Sequence, residues 1–168
     1  MVATSGEGSL VLSCVARGFL IKLYSFNLTE FNKNATLKSM IVLRLPYLPS
    51  RLNAQHPLLI ENLLEFAEAG HQNAVDTSIE MLSDFHQNDL SSRYLKKLIG
   101  LPFWELKTRS RGGIKGGVRV YLFIADDMAF CVNAEIKPED KPNANKLEEV
   151  AIIFRAYKAG KQIFQEES

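Results

Sequence analysis

Eight basic side chains fall between residues 93 and 121: Arg93, Lys96, Lys97, Lys107, Arg109, Arg111, Lys115 and Arg119, against the single acid Glu105. Residues 40–92 carry two bases and seven acids, and residues 122–168 carry six bases and nine acids, so a basic block sits inside acidic surroundings although the whole chain is only +1. Guanidinium and ammonium groups at this density suit a polyanion, above all the phosphates of a nucleic acid. A charge run by itself is more often a solvated face. A binding site requires its members to converge, and convergence is a property of the elements that carry them.

Within the block, the stretch RSRGGIKGGVRVY (109–121) combines four glycines with four bases. A nucleotide-cradling loop would run into a helix and follow its lysine with Ser or Thr. Here Lys115 precedes Gly116, and the residues that follow, VRVYLFIA, alternate as a strand. The glycines are therefore read as a turn between strands. Three segments show period-2 alternation, 103–109, 118–125 and 128–136, and Asp126-Asp127 makes the second connection short enough to force its strands antiparallel. Because side chains alternate across a strand, the segments sort into two faces. One holds Trp104, Leu106, Val118, Val120, Leu122, Ile124, Phe130, Val132, Ala134 and Ile136, an apolar surface for helices to cover. The other holds Glu105, Lys107, Arg109, Arg119, Tyr121, Phe123, Cys131, Asn133, Glu135 and Lys137. On it, Arg119 beside the Tyr121 ring suits a stacked base whose phosphate a guanidinium holds.

The rest of the chain supplies the covering layers. IVLRL (41–45) reads as a short strand ended by Pro46 and Pro49. Pro57 opens a helix carrying Leu59, Leu63, Phe66 and Ala67 as far as Gly70. Thr77 and Glu80 form a capping box for a second helix with Ile79, Leu82 and Phe85 inward, which makes an antiparallel helical hairpin. RYLKKLIGLP (93–102) is read as a basic linker. Asn145 and Glu148 cap a last helix with Leu147, Val150, Ala151, Phe154 and Tyr157 as its stripe, ended by Gly160. The expected fold class is α+β, an antiparallel-dominated sheet packed on a helical hairpin and a C-terminal helix.

Composition and spacing exclude other classes. A chain 46% apolar and 23% charged is ordinary for a folded domain, and no apolar run reaches membrane-spanning length. Cys14 and Cys131 stand far apart and read as free thiols in a reducing cytoplasm. His56, His71 and His86 lack partners at metal-ligand spacing, so no metal or other cofactor is expected. Residues 1–39 differ in character. Glu7 lies where a secretory signal requires positive charge, and the stretch reads as an N-terminal extension, weakly ordered or preceding a start at Met40, ahead of one domain over 40–168.

At GLPFWELKTRSRGG, VRVYLFIADDMAFCVNAEIKPEDKPN and LEEVAIIFRAYKAG the chain resembles the RelE/HigB-type toxins of bacterial toxin–antitoxin modules, in particular their phage-derived HigB-like branch. The resemblance covers residues 93–160 well and 41–92 by pattern. It implies a RelE-like fold, metal-independent and ribosome-dependent endoribonuclease activity on mRNA, and a helix-turn-helix antitoxin as partner. Cleavage by 2′-OH attack needs a base, stabilisation of the phosphorane, and protonation of the leaving 5′-oxygen. By match to the family pattern, Lys107, Arg109, Arg119 and Lys137 fall where family cations act. Arg119 is expected to stabilise transition-state charge, and Lys107 or Lys137 to transfer a proton or orient the phosphate. Glu105 or Glu135 remains a candidate base. Arg93, Lys96, Lys97, Arg111, Lys115, Tyr121 and Asn133 are expected to contact RNA. Two alternatives keep the fold but change the function: a ParE-like inhibitor that binds gyrase, and a phage-derived protein that binds nucleic acid without cutting it.

Overall fold

Asp126 and Asp127 both take positive φ, 52° and 60°, which is the backbone of a type I′ hairpin turn. The turn locks β4 (Val118–Ala125) against β5 (Met128–Ile136) in antiparallel register, the longest pairing of the sheet. The computed structural model describes residues 41–166. The expectations for residues 1–39 and for a start at Met40 lie outside them. β1 (Val42–Arg44), β2 (Leu95–Lys97) and β3 (Trp104–Lys107) complete a five-stranded sheet of order β1-β5-β4-β3-β2. Only the β1–β5 pairing is parallel, so the sheet is mixed and dominated by antiparallel pairs.

The helices are α1 (Leu58–Glu68), α2 (Gln72–Asn88) and α3 (Ala144–Lys158). The expected hairpin is α1 and α2, with α1 starting just after Pro57. Two caps differ from expectation. α2 begins five residues before Thr77, behind His71, so Thr77 and Glu80 lie inside the helix rather than capping it. α3 is capped by Asn143, whose side chain accepts from the N–H groups of Asn145 and Lys146 and satisfies two donors that the first turn leaves open. RYLKKLIGLP is also more than a linker. Its LKK is the edge strand β2, whose two lysines carry a linker's composition rather than a strand's apolar run.

Two cores form, one on each face of the sheet. α1 and α2 bring Leu59, Leu63, Met81, Leu82 and Phe85 against Leu106, Val118, Val120, Leu122 and Ala134. α3 brings Val150, Ile153 and Ala156 against Tyr121, Phe123, Phe130 and Val132 on the opposite face, where Phe123 and Phe130 stack with centroids 4.5 Å apart and Phe154 meets Phe123 edge-on at 5.2 Å. The face assignment from strict alternation therefore fails for part of β5. Asn133 pairs with Tyr121, but Cys131 pairs with the next residue, Leu122, leaving Val132 as the extra residue of a β-bulge. The bulge reverses the strand's phase. Phe130 and Val132, expected beneath the hairpin, lie beneath α3, and Cys131, expected on the polar face, lies in the hairpin core.

Cys131 is a free, wholly buried thiol, and burial pushes its pKa from 9.0 up to about 12. A group whose pKa rises on folding contributes stability that is whole below the unfolded value and is lost as pH climbs toward the folded one. Unfolding by urea is therefore expected to need less denaturant as pH rises from about 9 toward 12. Cys131→Ala should lower the whole stability curve through its cavity while flattening part of that alkaline slope. An unchanged slope in the variant would assign the loss to other groups.

Candidate functional site

Two rows of side chains lie next to each other on the α3 side of the sheet. Pairing aligns Lys107 with Arg119 and Arg119 with Glu135; the adjacent row aligns Lys96, Glu105, Tyr121 and Asn133. The expected convergence is present. α3 covers the apolar half of this face, and the segment joining β5 to α3, residues 137–143, lies over the charged half.

Arg119 has no accessible surface. Its Nε lies 2.6 Å from Glu105 Oε2 and its Nη1 2.7 Å from Glu135 Oε1. Nη1 also donates to the Lys141 carbonyl at 3.1 Å, and Nη2 to the Asp140 carbonyl at 2.7 Å. Burial opposes the charge on this guanidinium, but the Glu135 hydrogen bond, with Tyr121 and Glu105 beside it, outweighs burial and holds its pKa above the ordinary value. Tyr121, also without accessible surface, donates its hydroxyl to Glu135 at 2.7 Å and accepts from the Asn143 N–H at 2.8 Å. Burial and the Glu135 bond raise its pKa. Lys107 Nζ approaches Glu105 Oε1 at 3.2 Å and keeps about a fifth of its side chain exposed. Lys137 is buried and donates to the Thr108 carbonyl at 2.6 Å, with Asp140 Oδ1 at 3.3 Å. Burial lowers its pKa, Asp140 opposes that shift, and Arg119 and Lys107 reinforce it.

The glycine loop positions Lys137. Gly112 N–H donates to the Lys137 carbonyl, Lys137 N–H to the Gly117 carbonyl, and Gly117 N–H to the Gly112 carbonyl, all within 3.0 Å. A Cβ at Gly117 would stand 2.6 Å from the Arg111 backbone, closer than a side chain can be accommodated without moving the chain, so this residue must be glycine for the clamp to close. The loop also rests on α2, where the Asn73 side chain donates to the Ile114 carbonyl at 2.7 Å.

These contacts correct three expectations. Arg119 is enclosed by two carboxylates and two carbonyls, so it cannot meet a phosphorane in this arrangement. The Tyr121 ring lies under α3 and offers no surface on which to stack a base. Asn133 is buried, its amide donating to the Lys146 carbonyl and Glu149, and does not reach RNA. Glu135 is held by Arg119 and Tyr121 together. The exposed cations do not all converge. Lys96 and Arg111, with the partly exposed Lys107, border the charged half of the face; Arg109, expected on the first strand, is exposed beyond its end, and Lys115 is exposed on the glycine loop that packs on α2. Arg93 and Lys97 turn toward the hairpin side. Arg93 stacks on Tyr94 and contacts Glu80, and Lys97 lies 5.5 Å from the Trp104 ring centroid, a residue of the hairpin-side core.

Asp140 escaped the sequence reading. Its carboxylate lies between Arg111, at 2.6 Å, and Lys137. The hydrogen bond from Arg111, reinforced by Lys137, holds its pKa below the ordinary value. It belongs to an irregular connection with no periodicity, and its three-residue offset from Lys137 carries no signal outside a helix. The arrangement is a buried charged cluster with an exposed basic rim, and it can hold an anion at the rim. No family model, curated protein or solved structure matches this chain. No helix among the described residues is long and apolar enough to cross a membrane.

Proposed function

We propose that the protein is the toxin of a toxin–antitoxin module of the RelE/HigB kind, acting in the cytoplasm on mRNA at the ribosome as a metal-independent endoribonuclease, with a helix-turn-helix antitoxin as its partner. The observation that carries this reading is the convergence of Lys107, Arg111 and Lys137 beside the enclosed Arg119 at one end of one sheet face, with Lys96 in the adjacent row. Phosphate contacts supply most of the affinity for RNA and require such convergence. The α+β architecture, an antiparallel-dominated sheet between a helical hairpin and a C-terminal helix, is compatible with a RelE-like fold. In this reading Lys107 is the accessible group for proton transfer or phosphate orientation, Arg109 and Arg111 hold the backbone, and Glu105 sits in contact with Lys107 as the candidate base.

The enclosure of Arg119 favours a second reading, nucleic-acid binding without cleavage by the same rim. Expression of the full chain followed by primer extension on total mRNA separates the two. Discrete cuts confined to translated messages are expected from the nuclease. Intact messages, with RNA still retained by the purified protein, would move the assignment to the binding reading. Failure to retain RNA as well would remove both.

A further inference from the structure

The connection from Lys137 to Asn143 is pinned at both ends, by the Lys137 N–H to the Gly117 carbonyl and by the Asn143 N–H to the Tyr121 hydroxyl. Between the pins its backbone carbonyls at Asp140 and Lys141 fill the outward side of Arg119, and its Asp140 carboxylate sets one oxygen on Arg111 and the other on Lys137. Two oxygens of one anion, each on a different cation, is also how a phosphodiester's two non-bridging oxygens would be held. The exchange conserves charge, since a phosphodiester and a carboxylate each carry one negative charge. The hold on Asp140 is weak, because Arg111 and Asp140 are both more than half exposed and water screens such pairs. Withdrawal of Asp140 would leave Lys107, Arg111, Arg119 and Lys137 against two carboxylates rather than three.

We propose that residues 138–142 form an autoinhibitory strap whose Asp140 carboxylate occupies an anion site between Arg111 and Lys137, and that an RNA phosphate displaces it and uncovers Arg119. The identity of the displacing anion rests on the function proposed above; the strap itself does not.

The test uses the full chain, its Asp140→Ala variant and a Glu139→Ala control, which removes the same charge from the neighbouring exposed residue. Labelling of Arg119 by phenylglyoxal, followed by peptide mass spectrometry, reads the strap, and anisotropy with a labelled single-stranded RNA oligonucleotide reads the ligand. Asp140→Ala should accelerate Arg119 labelling and tighten RNA binding, each by roughly threefold to tenfold, the range that two screened ion pairs can supply. Glu139→Ala should do neither. Equal effects from the two variants, or Arg119 labelling unmoved by Asp140→Ala, would overturn the strap. Faster Arg119 labelling in Asp140→Ala with no RNA bound by any variant would uphold the strap and overturn the RNA reading.

Discussion

Arg119→Ala is expected to cost about 3–5 kcal/mol of folding stability, because removing one member of a buried ionic cluster leaves its partners charged and out of water. Glu135 would keep the Tyr121 hydroxyl and Glu105 would keep Lys107, but the shared guanidinium between them and the cap over two carbonyls would be gone. Such a loss is a large part of the ~5–15 kcal/mol that a domain of this kind has, and should lower the melting temperature by on the order of 10 °C. Urea denaturation monitored by circular dichroism measures it directly. A variant within about 1 kcal/mol of the parent would mean that the cluster is solvated rather than enclosed. Replacing Arg119, Glu105 and Glu135 together by apolar residues should recover much of the loss, since a buried cluster is often no more stable than its well-packed hydrophobic replacement. Under the proposed function, loss of toxicity in Arg119→Ala would not by itself establish a catalytic role. The same phenotype follows from unfolding, and Lys107→Ala, at a partly exposed position, is the more informative change.

The second large effect concerns the rim. Neutralising Lys96, Lys107 and Arg111 together, the cations that border the charged half of the face, should weaken binding to single-stranded RNA by on the order of tenfold to a hundredfold at low salt. It should also reduce the slope of log affinity against log salt by about 2, the counterion release of three contacts. Arg93→Ala with Lys97→Ala removes two charges that face the hairpin side and should change the slope little. Titrations at several salt concentrations give both quantities. If the two variants behave alike, binding follows net charge and the rim has no special place.

How far the sequence carried these conclusions differs from element to element. The strands β4 and β5 were legible because their alternation is long, and the Asp126-Asp127 turn because it is short and polar between them; β3 was legible only in part, since it ends at Lys107 and leaves Arg109 beyond it. The shared face of Lys107, Arg119 and Glu135 followed from alternation, and it holds because Glu135 lies after the bulge; the part of β5 before the bulge is out of phase. β2 was missed because its two lysines read as part of a basic linker, whereas β1, equally short, is marked by an apolar run that Pro46 ends. The start of α2 was misplaced because Thr77 and Glu80 satisfy a capping pattern that the helix, already formed from Gln72, does not use. Alternation assigns a residue to a side of the sheet but says nothing of what covers that side. Here α3 covers one half and the β5–α3 connection the other, so residues chosen for contact with RNA, Tyr121 and Asn133 among them, are instead parts of the interior.

The bulge at Val132 gives β5 two segments of opposite side-chain phase, joined end to end. Removing Val132 itself would leave Phe130 opposite Phe123 and Cys131 opposite Leu122, whereas removing a residue between the turn and the bulge would send the side chains from the cut to the bulge to the opposite face, Cys131 toward the charged side among them. Residue number, more than residue type, is what that stretch has least freedom to change. Insertions or deletions between the turn and the bulge are accordingly expected to be worse tolerated than any single replacement of the side chains there.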